Sequence, residues 1–166
     1  LLPSHRPAVA FPLLAPSTLG ATRDGLQIVH AAFGEQDAAF QCVVNVSPQQ
    51  LTLVGLSAQG QRLFSLRQDG NDVEVERSPL APAQLDPQRV LADLQFALWP
   101  LSALQQSLAG STWQVGEPVP ATRRLRREGR LIAEVHYRDA DRWNGGFWLS
   151  NFEFGYSLSV ESQPLP

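Results

Sequence analysis

A chain of 166 residues with 43% apolar and 17% charged side chains can build one domain with a real core and is too apolar to be disordered. A net charge of −3 gives no overall attraction to nucleic acid or to an anionic membrane. One cysteine, Cys42, excludes an intrachain disulfide framework, and no apolar run approaches the ~20 residues that span a bilayer.

The chain opens at Leu1 and holds no methionine, so its initiator is missing, through removal of a leader in the cell or trimming of the terminus. Residues 1–20 carry Pro3, Pro7, Pro12 and Pro16 among Ser and Ala. That composition suits an extended tether leading into a single domain over residues 21–166; a loosely packed terminus is the alternative. After Asp24-Gly25 the pattern turns to strands. "LQIVHAAF" (26–33) is the first, and "AAFQCVVNV" (38–46) places Phe40, Cys42, Val44 and Val46 on one face. "LTLVGLSAQGQRLFSLRQDG" (51–70) reads as a hairpin, although Val54 and Leu56 break the parity of Leu51 and Leu53. Gly55 is expected to permit a bend or a bulge there. "DVEVE" (72–76) alternates, with Val73 and Val75 expected inward.

The period then changes. Asp86-Pro87 starts a helix, and Val90, Leu91, Leu94, Ala97 and Leu98 follow at helical spacing until Trp99-Pro100 interrupts them. A second short helix from Pro100 carries Leu101, Leu104 and Leu108 and ends at Gly110. Strands return at 112–115, 122–127 and 130–137, the last with Leu131, Ala133, Val135 and Tyr137 on one parity. Asn144-Gly145-Gly146 makes a turn, and 152–161 reads as a strand with Phe152, Phe154, Tyr156, Leu158 and Val160 on one parity. Strands, a helix pair and strands again, with short connections, predict an α+β domain. Its antiparallel sheet of about ten strands would curve strongly around the helices as a half-open barrel.

Reactive motifs are lacking. There is no nucleophile elbow, P-loop or dinucleotide fingerprint, and His5, His30, His136 and Cys42 have no metal-type spacing, so neither a cofactor nor an enzyme activity is expected. "DADRWNGG" (139–146) reads as a turn, because Trp143 and Asn144 displace what a calcium loop needs. "RRLRREGR" (123–130) could grip anionic head groups, or be a solvated edge strand with its arginines outward. Glu134 and His136 share the outward face of one strand.

The hairpin at 51–70, "LADLQFALWPLSALQQSLAG", "RRLRREGRLIAEVHY" and "NFEFGYSLSVES" together resemble an uncharacterised family of bacterial lipoproteins, itself similar to the LolA/LolB carriers. That resemblance implies a periplasm-facing outer-membrane lipoprotein of a Gram-negative bacterium, anchored through an acylated cysteine upstream of Leu1. Its helix-capped half-barrel would bind a lipid or acyl chain, with an envelope protein as a candidate partner. The tip "SAQGQ" departs from the LolB pattern, since Gln59 stands where an exposed leucine would engage the membrane. The residues expected around the concave face are Leu53, Phe64, Leu66, Leu94, Leu98, Leu101, Leu104, Phe152, Phe154 and Tyr156. They would either line a lipid cavity or form the filled core of a non-enzymatic envelope scaffold.

Overall fold

Ten strands form one antiparallel sheet in the computed structural model, which describes residues 10–166. In chain order they are β1 (Arg23–Phe33), β2 (Gln36–Val46), β3 (Gln50–Leu56), β4 (Arg62–Asp69) and β5 (Asp72–Arg77), then β6 (Trp113–Val119), β7 (Thr122–Arg127), β8 (Arg130–Tyr137), β9 (Gly146–Asn151) and β10 (Tyr156–Gln163). Helices α1 (Pro87–Leu98) and α2 (Leu101–Leu108) lie between β5 and β6. The spatial order is β5-β4-β3-β2-β1-β10-β9-β8-β7-β6. Two consecutive meanders therefore meet along one seam, where β1 pairs with β10 from Leu26 opposite Gln163 to Phe33 opposite Tyr156. β5 and β6 remain at the two ends, and the sheet does not close into a barrel.

The sheet nevertheless curls. β4 and β7 are seven strand spacings apart in that order, roughly 33 Å if the sheet were flat. Yet α1, a rod about 10 Å across, hydrogen-bonds to both: Gln95 Nε2 donates to Gln68 Oε1 on β4 at 3.3 Å, and Arg123 on β7 donates to the Phe96 carbonyl at 2.7 Å. Only a sheet wrapped around the helix allows both contacts.

Each helix starts and stops as its sequence dictates. Asp86 caps α1 by accepting from the Gln88 N–H at 3.0 Å, Pro87 occupies the first turn, and Trp99, just before Pro100, takes extended backbone. Every residue from Leu94 to Trp99 is buried, as expected of a helix enclosed on all sides rather than laid on a surface. Buried Leu104 and Leu108 fix α2 over the sheet at β6, where Gln105 Nε2 donates to the Val115 carbonyl at 3.2 Å.

Strand β3 keeps a regular alternation, with Leu51, Leu53 and Gly55 buried and Val54 and Leu56 half-buried on the other face. Gly55 is required by its neighbour. The Phe64 ring lies across it, and a Cβ on Gly55 would come within 2.2 Å of that ring. The register shifts between Gly55 and Leu56, so the anticipated irregularity is present.

Several expectations need correction. The last strand starts at Tyr156, not at 152. Phe152 to Gly155 form a turn, closed by a Gly155 N–H bond to the Asn151 carbonyl and by Gly155 at φ +73°, so Phe152 (55% exposed) and Phe154 (41% exposed) lie outside the core. The strand before it, β9, went unread. Val75 on edge strand β5 is 37% exposed rather than inward. The run 123–130 is not an edge, because β6 pairs outside β7, and Arg123 points inward. Leu131 is only half-buried. The pairing of β8 with β7 shifts register there, and Ile132 takes a buried position beside Ala133.

The expected tether also differs where it is described; residues 1–9 lie outside the described residues. Leu14, Pro16 and Leu19 are buried. The Leu14 N–H donates to Gln95 Oε1 at 2.8 Å, and its carbonyl accepts from Gln95 Nε2 at 2.8 Å and Gln68 Nε2 at 2.9 Å. Phe11 meets Trp113 of β6 edge-on at 5.7 Å, and Thr18 Oγ1 accepts from the Trp99 indole at 2.9 Å. Residues 10–19 thus bridge from β6 across α1 to the β3–β4 side, and two buried glutamine amides hold an inserted backbone whose polar groups must be satisfied.

Candidate functional site: a cleft beside α1

Of the ten residues expected around the concave face, Leu53, Phe64, Leu66, Leu98 and Leu104 are core, each at most 5% exposed, and Leu101 is half-buried against that core. Leu94 and Tyr156, just as buried, also reach an opening along the N-terminal half of α1, and Phe154 stands at its rim, while Phe152 is turned away on the exposed turn.

The opening has two compartments. A pocket of about 290 Å³ lies between α1 and the β6–β9 side, walled by Phe11, Phe96, Trp113, Ile132, Asn151 and Glu153 among others. A narrow slot of about 50 Å³ lies between α1 and the seam strands, with Val29, Phe33, Phe40, Leu85, Phe147 and Val160 in its walls. The slot is almost wholly apolar, and a further hollow of about 120 Å³ shares Phe33, Phe40, Gln84 and Leu85 with it. Asp86, Arg89 and Asp93 belong to both the pocket and the slot, so α1 and its cap supply the charged groups that the two compartments share.

Asp93 is the least expected of these. It sits three residues after Val90 and four before Ala97, inside the apolar stripe of the helix. As a residue it keeps some exposure, but its carboxyl is enclosed, and that burial pushes its pKa up to about 7. The Tyr156 hydroxyl, donating to Oδ2 at 2.5 Å, and the Arg89 charge both pull the other way without overcoming burial. The same burial, with Asp93 opposite, pushes the Tyr156 phenol far above its ordinary range, so it acts as a donor. Asn151 supports the turn beneath, its Oδ1 accepting from the Phe154 N–H at 2.8 Å. Arg89 is stacked on Phe154, guanidinium carbon to ring centroid 3.4 Å, and lies 5.8 Å from the Tyr156 ring.

At the other end of α1 lies a second charged group, and it is structural. Arg123, 1% exposed, donates to the Phe96 and Trp99 carbonyls at 2.7 Å each, and the Tyr137 hydroxyl donates to the Ala97 carbonyl at 2.5 Å. The end carbonyls that a helix leaves orphaned are satisfied there, with a cation at the negative end of its dipole. Two more arginines of the run are engaged, Arg124 by Glu134 and Arg127 by both oxygens of Glu153, at 2.6 and 3.1 Å. His136 shares the Glu134 carboxylate with Arg124 on the outer face of the sheet, away from the cleft.

In the 139–146 loop, Asp139 accepts from the Gly146 N–H and Asp141 from the Trp143 N–H, as in an ordinary turn. Among the described residues no three His, Cys, Asp or Glu side chains converge as metal ligands, and no helix is long and apolar enough to cross a membrane. Arg89 and Asp93 escaped the sequence reading because neither belongs to a motif. The signal that could have found Asp93 was a carboxylate within the apolar positions of a helix otherwise due for burial.

Residues 25–164 match the model of a family described as "Protein of unknown function (DUF3261)". No curated protein matches the chain. The match spans most of the sequence, and the chain belongs to that family.

Proposed function

We propose that this family member is a non-enzymatic binding protein for a lipid or other acyl-bearing molecule, held in the cleft beside α1. The observation that carries the reading is the apolar slot between α1 and the seam strands, opening onto a polar mouth at Arg89, Asp93 and Tyr156. Binding is partitioning: each methylene buried there contributes about 0.8 kcal/mol, and no covalent step is involved. The slot and its neighbouring hollow admit part of a chain, and a longer chain would widen them by displacing Val90 and Leu94 from the seam strands. The resemblance to the LolA/LolB carriers supports the same reading, and from it we take the further proposal of a lipid-anchored protein on the periplasmic side of the outer membrane. The hairpin tip, with exposed Gln59, favours holding a lipid over inserting a lipoprotein.

Extraction of lipid from protein purified out of its native membrane, together with titration of a fluorescent fatty acid, tests the binding. Saturable one-to-one binding displaced by unlabelled fatty acid supports it, and lipid-free protein with no saturable binding refutes it. Incorporation of labelled palmitate into the full-length protein, followed by membrane fractionation, tests the anchor. A second reading, an envelope scaffold with a filled core, is favoured by the tight burial of Leu53, Phe64, Leu66, Leu98 and Leu104. It predicts co-purification of an envelope protein without lipid.

A further inference from the structure

Four charged residues line the pocket and the slot: Asp86, Arg89, Asp93 and Glu153. Three of them are already committed. Asp86 accepts from the Gln88 N–H as the helix cap, Asp93 accepts from Tyr156, and Glu153 is held by both terminal nitrogens of Arg127. Arg89 differs. Its guanidinium is fixed by stacking on Phe154, yet among the described residues none of its N–H groups is donated to a carboxylate or a carbonyl. Its flat face is held and its hydrogen-bonding edge is left over, in a half-buried position at the junction of the polar pocket and the apolar slot.

A planar fork of donors in that state matches a carboxylate or a phosphate. We propose that Arg89 is the recognition residue for an anionic head group, and that the cleft takes a single-chain amphiphile bearing one carboxylate or phosphate, with its tail in the apolar slot. The inference rests on the acyl-binding reading above and narrows its ligand class.

Asp93 then sets the pH range. Among the charged groups facing it from every packed element, Arg89 attracts an anion, Glu153 is neutralised by Arg127, and Asp86 faces the helix N-terminus; the Tyr156 phenol stays protonated. Below about pH 7 the Asp93 carboxyl is neutral and can donate to the head group beside Arg89. Above it, the carboxylate repels the head group, and affinity falls as pH rises.

The test uses calorimetric titration with dodecanoate, dodecyl phosphate and dodecanol below their aggregation concentrations, on the wild type, Arg89→Gln and Asp93→Asn. The expected result is that dodecanoate, dodecyl phosphate or both bind about tenfold or more tightly than dodecanol, and that Arg89→Gln removes this advantage, bringing the anions to the affinity of dodecanol. Which anion is preferred identifies the head group. The dodecanoate advantage should shrink between about pH 6 and about pH 8 in the wild type and stay level in Asp93→Asn. Equal affinity for all three, or an anion preference that survives Arg89→Gln, overturns the assignment of Arg89 and leaves acyl binding standing. If none of the three binds, the acyl-binding reading fails and this inference with it.

Discussion

The two ends of α1 treat buried charge in opposite ways. At the C-terminal end, Arg123 is driven inside and its charge is answered by the Phe96 and Trp99 carbonyls, the helix dipole and Glu117 at 3.8 Å, although its Nε finds no partner among the described residues. Burial lowers its pKa, but a guanidinium starts so high that it stays charged. Toward the N-terminal end, the Asp93 carboxyl is buried with one hydroxyl and one arginine that does not hydrogen-bond to it, so its proton stays on into the neutral range. A matched charge holds structure together, and an under-matched one is responsive. The candidate site therefore sits at the latter, although Arg123 is the more deeply buried.

Four substitutions would sharpen or break that contrast. Arg123→Met should have the largest effect, since it leaves the last carbonyls of α1 without their cation, while Glu117 keeps Arg142. A loss of about 3–5 kcal/mol in urea unfolding is expected, and a loss under about 1 kcal/mol would show that the carbonyls find other partners. Gln95→Leu should follow at about 1–3 kcal/mol by the same measurement, because it strands the Leu14 N–H in the interior.

Asp93→Asn probes the responsive end through pH. The folded pKa of Asp93 lies above its unfolded value, so the folded state keeps a proton that the unfolded state releases, and wild-type stability falls as pH rises from about 4 to about 7. The amide cannot titrate. The difference between the two proteins should therefore change by on the order of 1–2 kcal/mol over that window, discounted because the mouth is open to water. A flat difference would place the carboxyl in water. Arg89→Gln should matter least for stability, by at most about 1 kcal/mol, the value of a partly exposed cation–π contact. A larger loss would make Arg89 a structural residue like Arg123.

Much of the fold was legible because its signals are local. The Asp86-Pro87 start, the Trp99-Pro100 break and the alternation of Phe40, Cys42, Val44 and Val46 each report one element's own geometry, and each element formed as read. β9 was hidden because Phe147, Trp148 and Leu149 are consecutive apolar residues, two buried and one outward, with no alternation to mark a strand. The error at 152–155 had the opposite cause, since Phe152 and Phe154 imitate strand parity inside a turn. Arg123 was misread as solvated because its reason for burial, the carbonyls of α1, lies 24 or more residues away in sequence. The cleft was harder still. It depends on Arg89 meeting Phe154 and Asp93 meeting Tyr156, pairs 63 or more residues apart, which no local pattern records.

The β1–β10 seam has a consequence for how the molecule assembles. Each meander, β1 to β5 and β6 to β10, is built of neighbours in sequence and can form its hairpins early, but the join between them waits for the final strand. A ribosome making this chain would thus present two half-sheets whose inner edges stay unpaired until β10 emerges. A truncation that removes β10 would turn one sheet with two free edges into two sheets with four, and the exposed edges of β1 and β9 would be ready templates for pairing with other chains.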